Sequence, residues 1–100
     1  MANRLRILPA VEADLIKAID WYDRASSIRG VKFRQAVKKR FAEIRVSPNS
    51  FAIDGNARFA KVEGFPYIII FESLSDGALI VGVVHASSDP NSWRDRLSSS

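Results

Sequence analysis

The stretch ARFAKVEGFPYIIIFESLSDGALIVGVVHA, residues 57–86, decides the fold. Its apolar residues lack the three-and-four spacing of a helix, and turn-forming groups break it twice, at Glu63-Gly64-Phe65-Pro66 and at Ser75-Asp76-Gly77. β-Branched and aromatic residues between such breaks mark strands. The spacing therefore predicts strands over Ala57–Val62, Tyr67–Ser73 and Ala78–Ala86, joined as an antiparallel meander. The last is an almost unbroken apolar run, the pattern of a strand covered on both faces at the centre of a sheet.

Upstream, the period changes. Val11, Leu15, Ala18, Ile19, Tyr22 and Ala25 recur at spacings of three and four after Pro9, with Glu12 and Asp14 near the positive end of a helix dipole, so a helix runs from Pro9 to about Ser26. Ser26, Ser27 and Gly30 read as a short connection. Phe33, Val37, Phe41 and Ile44 then form the stripe of a second helix, which ends at Ser47-Pro48. A short connection favours an antiparallel αα-hairpin. Before the first helix, Asn3–Leu8 reads as a short strand, and residues 48–56 read as a loop with Phe51 and Ile53 as anchors. The order βααβββ gives an α+β fold of two layers, with both helices on one face of a small, mainly antiparallel sheet and the other face open. The chain of 100 residues suits one domain over residues 1–97, with a frayed tail at 98–100.

Composition excludes several chemistries. The chain has no cysteine and a single histidine, His85, so disulfides, thiol catalysis and Cys/His zinc sites are absent, and no cofactor or metal is expected. No apolar run approaches the roughly 20 residues that span a bilayer, and Leu5–Val11, broken by Arg6 and Pro9, lacks the apolar region of a signal peptide. A cytoplasmic protein without membrane contact is expected. Charge is concentrated. Between Arg29 and Arg45 the local balance is +6 within a net +4, with only Glu43 opposing seven cations. Such a segment either forms a solvated helix face or attracts an acidic partner.

Asp14-Leu15, Ala18 and Trp21-Tyr22 on the first helix, Phe33 and Val37 on the second, Ser47-Pro48 with Phe51, Arg58, Phe65-Pro66-Tyr67, and the ending His85, Asp89-Pro90, Trp93 and Arg96 together resemble the ParE/RelE superfamily of bacterial toxins. The likeness covers about residues 4–96, and its most specific part is Phe-Pro-Tyr followed by His-x-x-x-Asp-Pro-x-x-Trp. It implies the toxin of a type II toxin–antitoxin module with the βααβββ order. RelE-like members of the superfamily cut mRNA on the ribosome; ParE-like members inhibit DNA gyrase without being nucleases.

Cleavage through a 2′-hydroxyl needs a base, an acid and cations around one phosphorane. Arg58, Lys61, His85 and Arg94 are the residues available for it. The C-terminal tyrosine or histidine typical of RelE-like nucleases is missing, because neither follows His85. The Trp21-Tyr22, Phe-Pro-Tyr and Asp-Pro-x-x-Trp signatures look like the ParE, or plasmid-stabilisation, branch. The resemblance thus implies a gyrase inhibitor with no catalytic residues. Its target contacts come from Arg58, His85, Ser88, Asp89, Trp93, Arg94 and Arg96, and an acidic antitoxin that folds on binding lies over Trp21, Arg34, Lys38, Lys39 and Arg45. That branch commonly has arginine where this chain has Ser88. A serine cannot form an arginine's bidentate fork, which makes a weakened toxin that still binds antitoxin a third expectation, beside the ribosome-dependent nuclease.

Overall fold

The computed structural model describes residues 3–97; the tail expected at 98–100 lies outside them. Strand β1 (Arg4–Ile7) leads into helix α1 (Pro9–Ala25) and helix α2 (Ser27–Val46). A 3-10 turn at Pro48–Ser50 then precedes β2 (Ala52–Asp54), β3 (Ala57–Val62), β4 (Tyr67–Leu74), β5 (Gly77–His85) and a short helix α3 (Asn91–Arg94). The five strands form one sheet in the order β1-β5-β4-β3-β2, antiparallel except for β1 beside β5. The α+β arrangement, the helical hairpin and the three-stranded meander follow the sequence pattern. Among the described residues, no helix is long and apolar enough to cross a membrane.

Three features depart from the pattern. The helix connection is the single residue Ser26, whose extended backbone ends α1 and starts α2: its N–H donates to Tyr22 O at 2.9 Å and its carbonyl accepts Gly30 N–H at 3.2 Å. Gly30 therefore lies inside α2, where an added Cβ would fall 1.6 Å from Asp23 Oδ1. Next, the expected loop contains β2, an edge strand paired with β3. Phe51 does anchor it, meeting the Phe71 ring edge-on at 5.5 Å, but Ile53 is 57% exposed and anchors nothing, because it points away from the core on the outermost strand. Lastly, the far sheet face is partly covered. Trp93 of α3 packs there against Ala57, Ile70 and Val81, since a strand pair with apolar residues on both sides needs a second lid.

The main core lies between the hairpin and the sheet. Phe33 and Ile44 of α2, Val11 of α1, and Val62, Ile69, Phe71 and Ile80 of the sheet are fully buried. At one end Tyr22, Phe33, Phe65 and Tyr67 make an aromatic cluster with ring centroids 5.0–6.0 Å apart. The Arg29 guanidinium closes it over Tyr22 and Phe65, at 5.6 and 5.2 Å.

Gly77 joins β4 to β5 with φ +152°, a conformation that L side chains rarely adopt, and a Cβ there would meet Arg4 O at 1.8 Å. The parallel pairing begins at this contact, Arg4 opposite Gly77. Gly77→Ala is expected to lower stability by at least about 3 kcal/mol, read as a shift of the urea midpoint, because neither backbone can yield. Burial also pushes the Tyr22 and Tyr67 hydroxyls above the ordinary tyrosine value of 10.0. The unfolded chain then loses its phenolic protons first. Their contribution to stability is complete below pH 10 and declines as pH rises through the folded-state values. Alkaline denaturation should be shallower in Tyr22→Phe and Tyr67→Phe than in the native chain.

Candidate functional site

β5 outruns its neighbour. β1 ends at Ile7, opposite Ile80, and Leu8 N–H donates to Ile80 O at 3.0 Å before Pro9 turns the chain into α1. Beyond Ile80, β5 continues to His85 with no strand on that side among the described residues. The register against β4 slips here: Phe71 is opposite Ile80 but Ile70 is opposite Gly82, which leaves Val81 as the extra residue of a β-bulge. Backbone groups of an uncovered strand edge need partners. Two side chains supply them. Asp14 of α1 accepts Val83 N–H on Oδ2 at 3.1 Å, and Arg96 Nη1 donates to Val81 O at 3.2 Å. The two side chains also bind each other, Nη1 to Oδ2 at 2.6 Å and Nη2 to Oδ1 at 3.2 Å, in a bidentate pair only 14% and 24% exposed.

Above this pair, a cleft of about 360 Å3 opens between α1, the end of β5 and the C-terminal turn. His85, Ser88, Asp89 and Arg96, four of the expected target contacts, line it together, and Lys17 and Ser92 join them. His85 stands at its rim with its ring edge-on to Tyr67 at 5.3 Å. The Nδ1 of His85 accepts Ser87 N–H at 3.1 Å and lies 2.7 Å from Ser87 Oγ, so the ring hydrogen of the neutral imidazole sits on Nε2.

The other expected contacts lie elsewhere. Trp93 is 9% exposed on the far sheet face, edge-on to Phe59 at 5.8 Å, and Arg94 lines a hollow with Asn56, Phe59 and Leu97. Arg58 lines a third hollow with Asn49, Glu72 and Ser73; its Nη1 donates to Phe51 O at 2.7 Å, so it ties the 3-10 turn and β2 to β3. Lys61 borders a fourth, with Phe59, Pro66 and Ile68. The four residues available for RNA cleavage, Arg58, Lys61, His85 and Arg94, are thus not brought to one cavity.

The residues expected under an antitoxin share the helical layer. Lys38 and Arg45 are exposed on α2, Arg34 pairs with Asp23 at 3.3 Å, and Lys39 reaches Glu63 at 3.9 Å. Ile28, Val31 and Val46 are each about half exposed or more on the same helix. Trp21, 69% exposed, stands on α1. Asp14 and Lys17 escaped the sequence reading as site residues. Asp14 reads there only as a helix-dipole acid and part of a motif, and its partner Arg96 is 82 positions away. The sign available was an Asp one turn into a helix beside a strand that continues past its neighbour.

Compared with models of known families, residues 5–90 match the ParE toxin of type II toxin-antitoxin system, parDE. No curated protein matches the chain.

Removing either member of the Asp14–Arg96 pair leaves a shielded charge and an edge group without its partner. Asp14→Ala and Arg96→Ala should each cost about 2–3 kcal/mol in urea unfolding, with a coupling energy of about 1–2 kcal/mol in the double-mutant cycle. Arg96→Lys should recover less than half of the loss, since an ammonium cannot form the fork.

Proposed function

The chain belongs to the ParE toxin family of type II toxin–antitoxin systems, and on that premise we propose that it acts by protein–protein contact, inhibiting DNA gyrase in the cytoplasm and being neutralised by a cognate acidic antitoxin. The separation of the cleavage candidates is the observation that carries this reading. In-line attack by a 2′-hydroxyl needs proton transfer and charge stabilisation within hydrogen-bond reach of a single phosphate. His85 lines one cleft while Arg58, Lys61 and Arg94 line three others. No tyrosine or histidine follows His85 to complete an acid–base pair.

The same surface suits contact. The basic, partly apolar outer side of α2 gives an acidic segment both long-range attraction and apolar area to bury. The cleft beside β5 gathers polar groups from α1, the end of β5 and the turn that follows it into one concave surface. One residue favours a second reading: Ser88 lines that cleft where the branch commonly carries arginine, which fits a homologue that keeps antitoxin binding and has lost potency.

Purified chain is expected to inhibit supercoiling by gyrase, with relief when antitoxin is added first, and to leave mRNA uncut in primer extension on translating ribosomes. Cleavage on ribosomes would overturn the proposal. Activity in neither assay, with growth arrest restored by Ser88→Arg, would establish the attenuated homologue instead.

A further inference from the structure

We propose that the cleft beside β5 takes a glutamate side chain of the protein that the chain inhibits, an assignment that rests on the reading of the chain as a protein that works by contact. The hydrogen-bonding state of the lining carries it. Most acceptors are engaged: Asp14 holds Arg96 and Val83 N–H, Asp89 Oδ1 takes Asn91 N–H at 2.9 Å, and His85 Nδ1 takes Ser87, while Asp89 Oδ2 stays open at the exposed rim. Ser92 Oγ donates to Asp89 O at 2.7 Å. Three groups able to donate are left. The Lys17 ammonium has no acidic partner within 4 Å among the described residues, the Ser88 hydroxyl has no partner among them, and Nε2 is the open ring nitrogen of His85. A site in which open donors outnumber open acceptors favours an acceptor, and an anionic one makes the stronger bonds.

Size and wall chemistry narrow the class. A volume of about 360 Å3 is at the small end for ligand pockets and suits one side chain with the backbone beside it. Ala18, Val83 and Val84 make part of the wall apolar, which fits the methylenes behind a glutamate carboxylate. A phosphodiester has no such arm. Of the two carboxylates at the cleft, Arg96 neutralises Asp14, and Asp89 is exposed at the rim, where solvent screens it from a bound anion. Trp21 follows Lys17 by one helical turn on the same flank of α1 and is 69% exposed, so it can cover an apolar residue next to the glutamate.

The probe is N-acetyl-glutamate methylamide, titrated into isotope-labelled full chain while backbone amide shifts are followed by NMR, with the glutamine analogue and inorganic phosphate in parallel. Saturable shifts are expected over residues 83–92 and at Lys17, with the glutamine analogue at least about tenfold weaker. Lys17→Gln, at an exposed position, should keep the native spectrum and lose about tenfold in probe affinity, and Ser88→Ala should lose less. The assignment is overturned if glutamine binds as well as glutamate, if phosphate binds as tightly or more so, if no shift saturates, or if Lys17→Gln binds the probe unchanged. Full gyrase inhibition by a Lys17→Gln chain that has lost the probe would also overturn it, while leaving gyrase as the target. Probe binding by a chain that fails to inhibit gyrase would support the cleft and remove the target.

Discussion

Among the described residues, the far half of β5 has no strand on its β1 side, and the Asp14–Arg96 pair resolves that constraint. A sheet whose parallel strand is four residues long cannot cover a neighbour of nine. The uncovered N–H and C=O groups would invite another chain to pair there. A bidentate ion pair laid along the edge meets one donor and one acceptor with groups of opposite kind, and it does so from two different elements. The bond to Val83 fixes α1 against the sheet, and the bond to Val81 brings the C-terminal turn round the edge. Trp93 can then seat on the far face, so one contact at the strand edge joins the two apolar clusters.

The bulge at Val81 belongs to the same device. An extra residue in β5 interrupts regular alternation, so Ile80 and Val83 face the helices while Val81 faces Trp93. It also places Val81 O and Val83 N–H on the open side at a spacing that one carboxylate–guanidinium pair can bridge. Without the slip, residues before and after the bulge would keep one alternation along the whole strand, and one cluster would lose its apolar members to the other. The bulge, the ion pair and the short first strand are three parts of one solution.

What was legible in the sequence follows from which forces are local. The helical stripes, the turns at Gly64 and Gly77 and the apolar run of β5 are periodic or compositional, and they placed the hairpin and the meander. β2 was not legible, because three residues, Ala52–Asp54, carry no period and their only instruction is the register against β3. Nor was the length of the helix connection: Gly30 reads as a breaker, whereas its missing Cβ lets α2 pass close to Asp23. At the site, His85, Ser88, Asp89 and Arg96 were near enough in sequence to be grouped. Arg58 and Trp93 carried equal chemical promise but went to packing, Arg58 on Phe51 O and Trp93 on Phe59. Residue type alone cannot tell a structural arginine or tryptophan from a recognising one; the strand face it occupies can.

Geometry also separates the two surfaces that contact would use. On α1, Asp14, Lys17 and Trp21 lie at i, i+3 and i+7 along one flank, toward the cleft, whereas Asp23 lies on the opposite flank and pairs with Arg34 of α2. The cleft and the basic side of α2 are therefore divided by the body of α1. Charge on α2 acts over about a Debye length, roughly 8–10 Å at physiological salt, and favours any acidic segment, so it sets how fast a partner arrives more than which one stays. The cleft acts only at contact, through donors on α1, at the end of β5 and in the turn that follows it. A long-range field and a short-range donor set on opposite flanks of one rigid helix allow one polypeptide to be captured without filling the other position. They also let a longer one reach both by wrapping around α1.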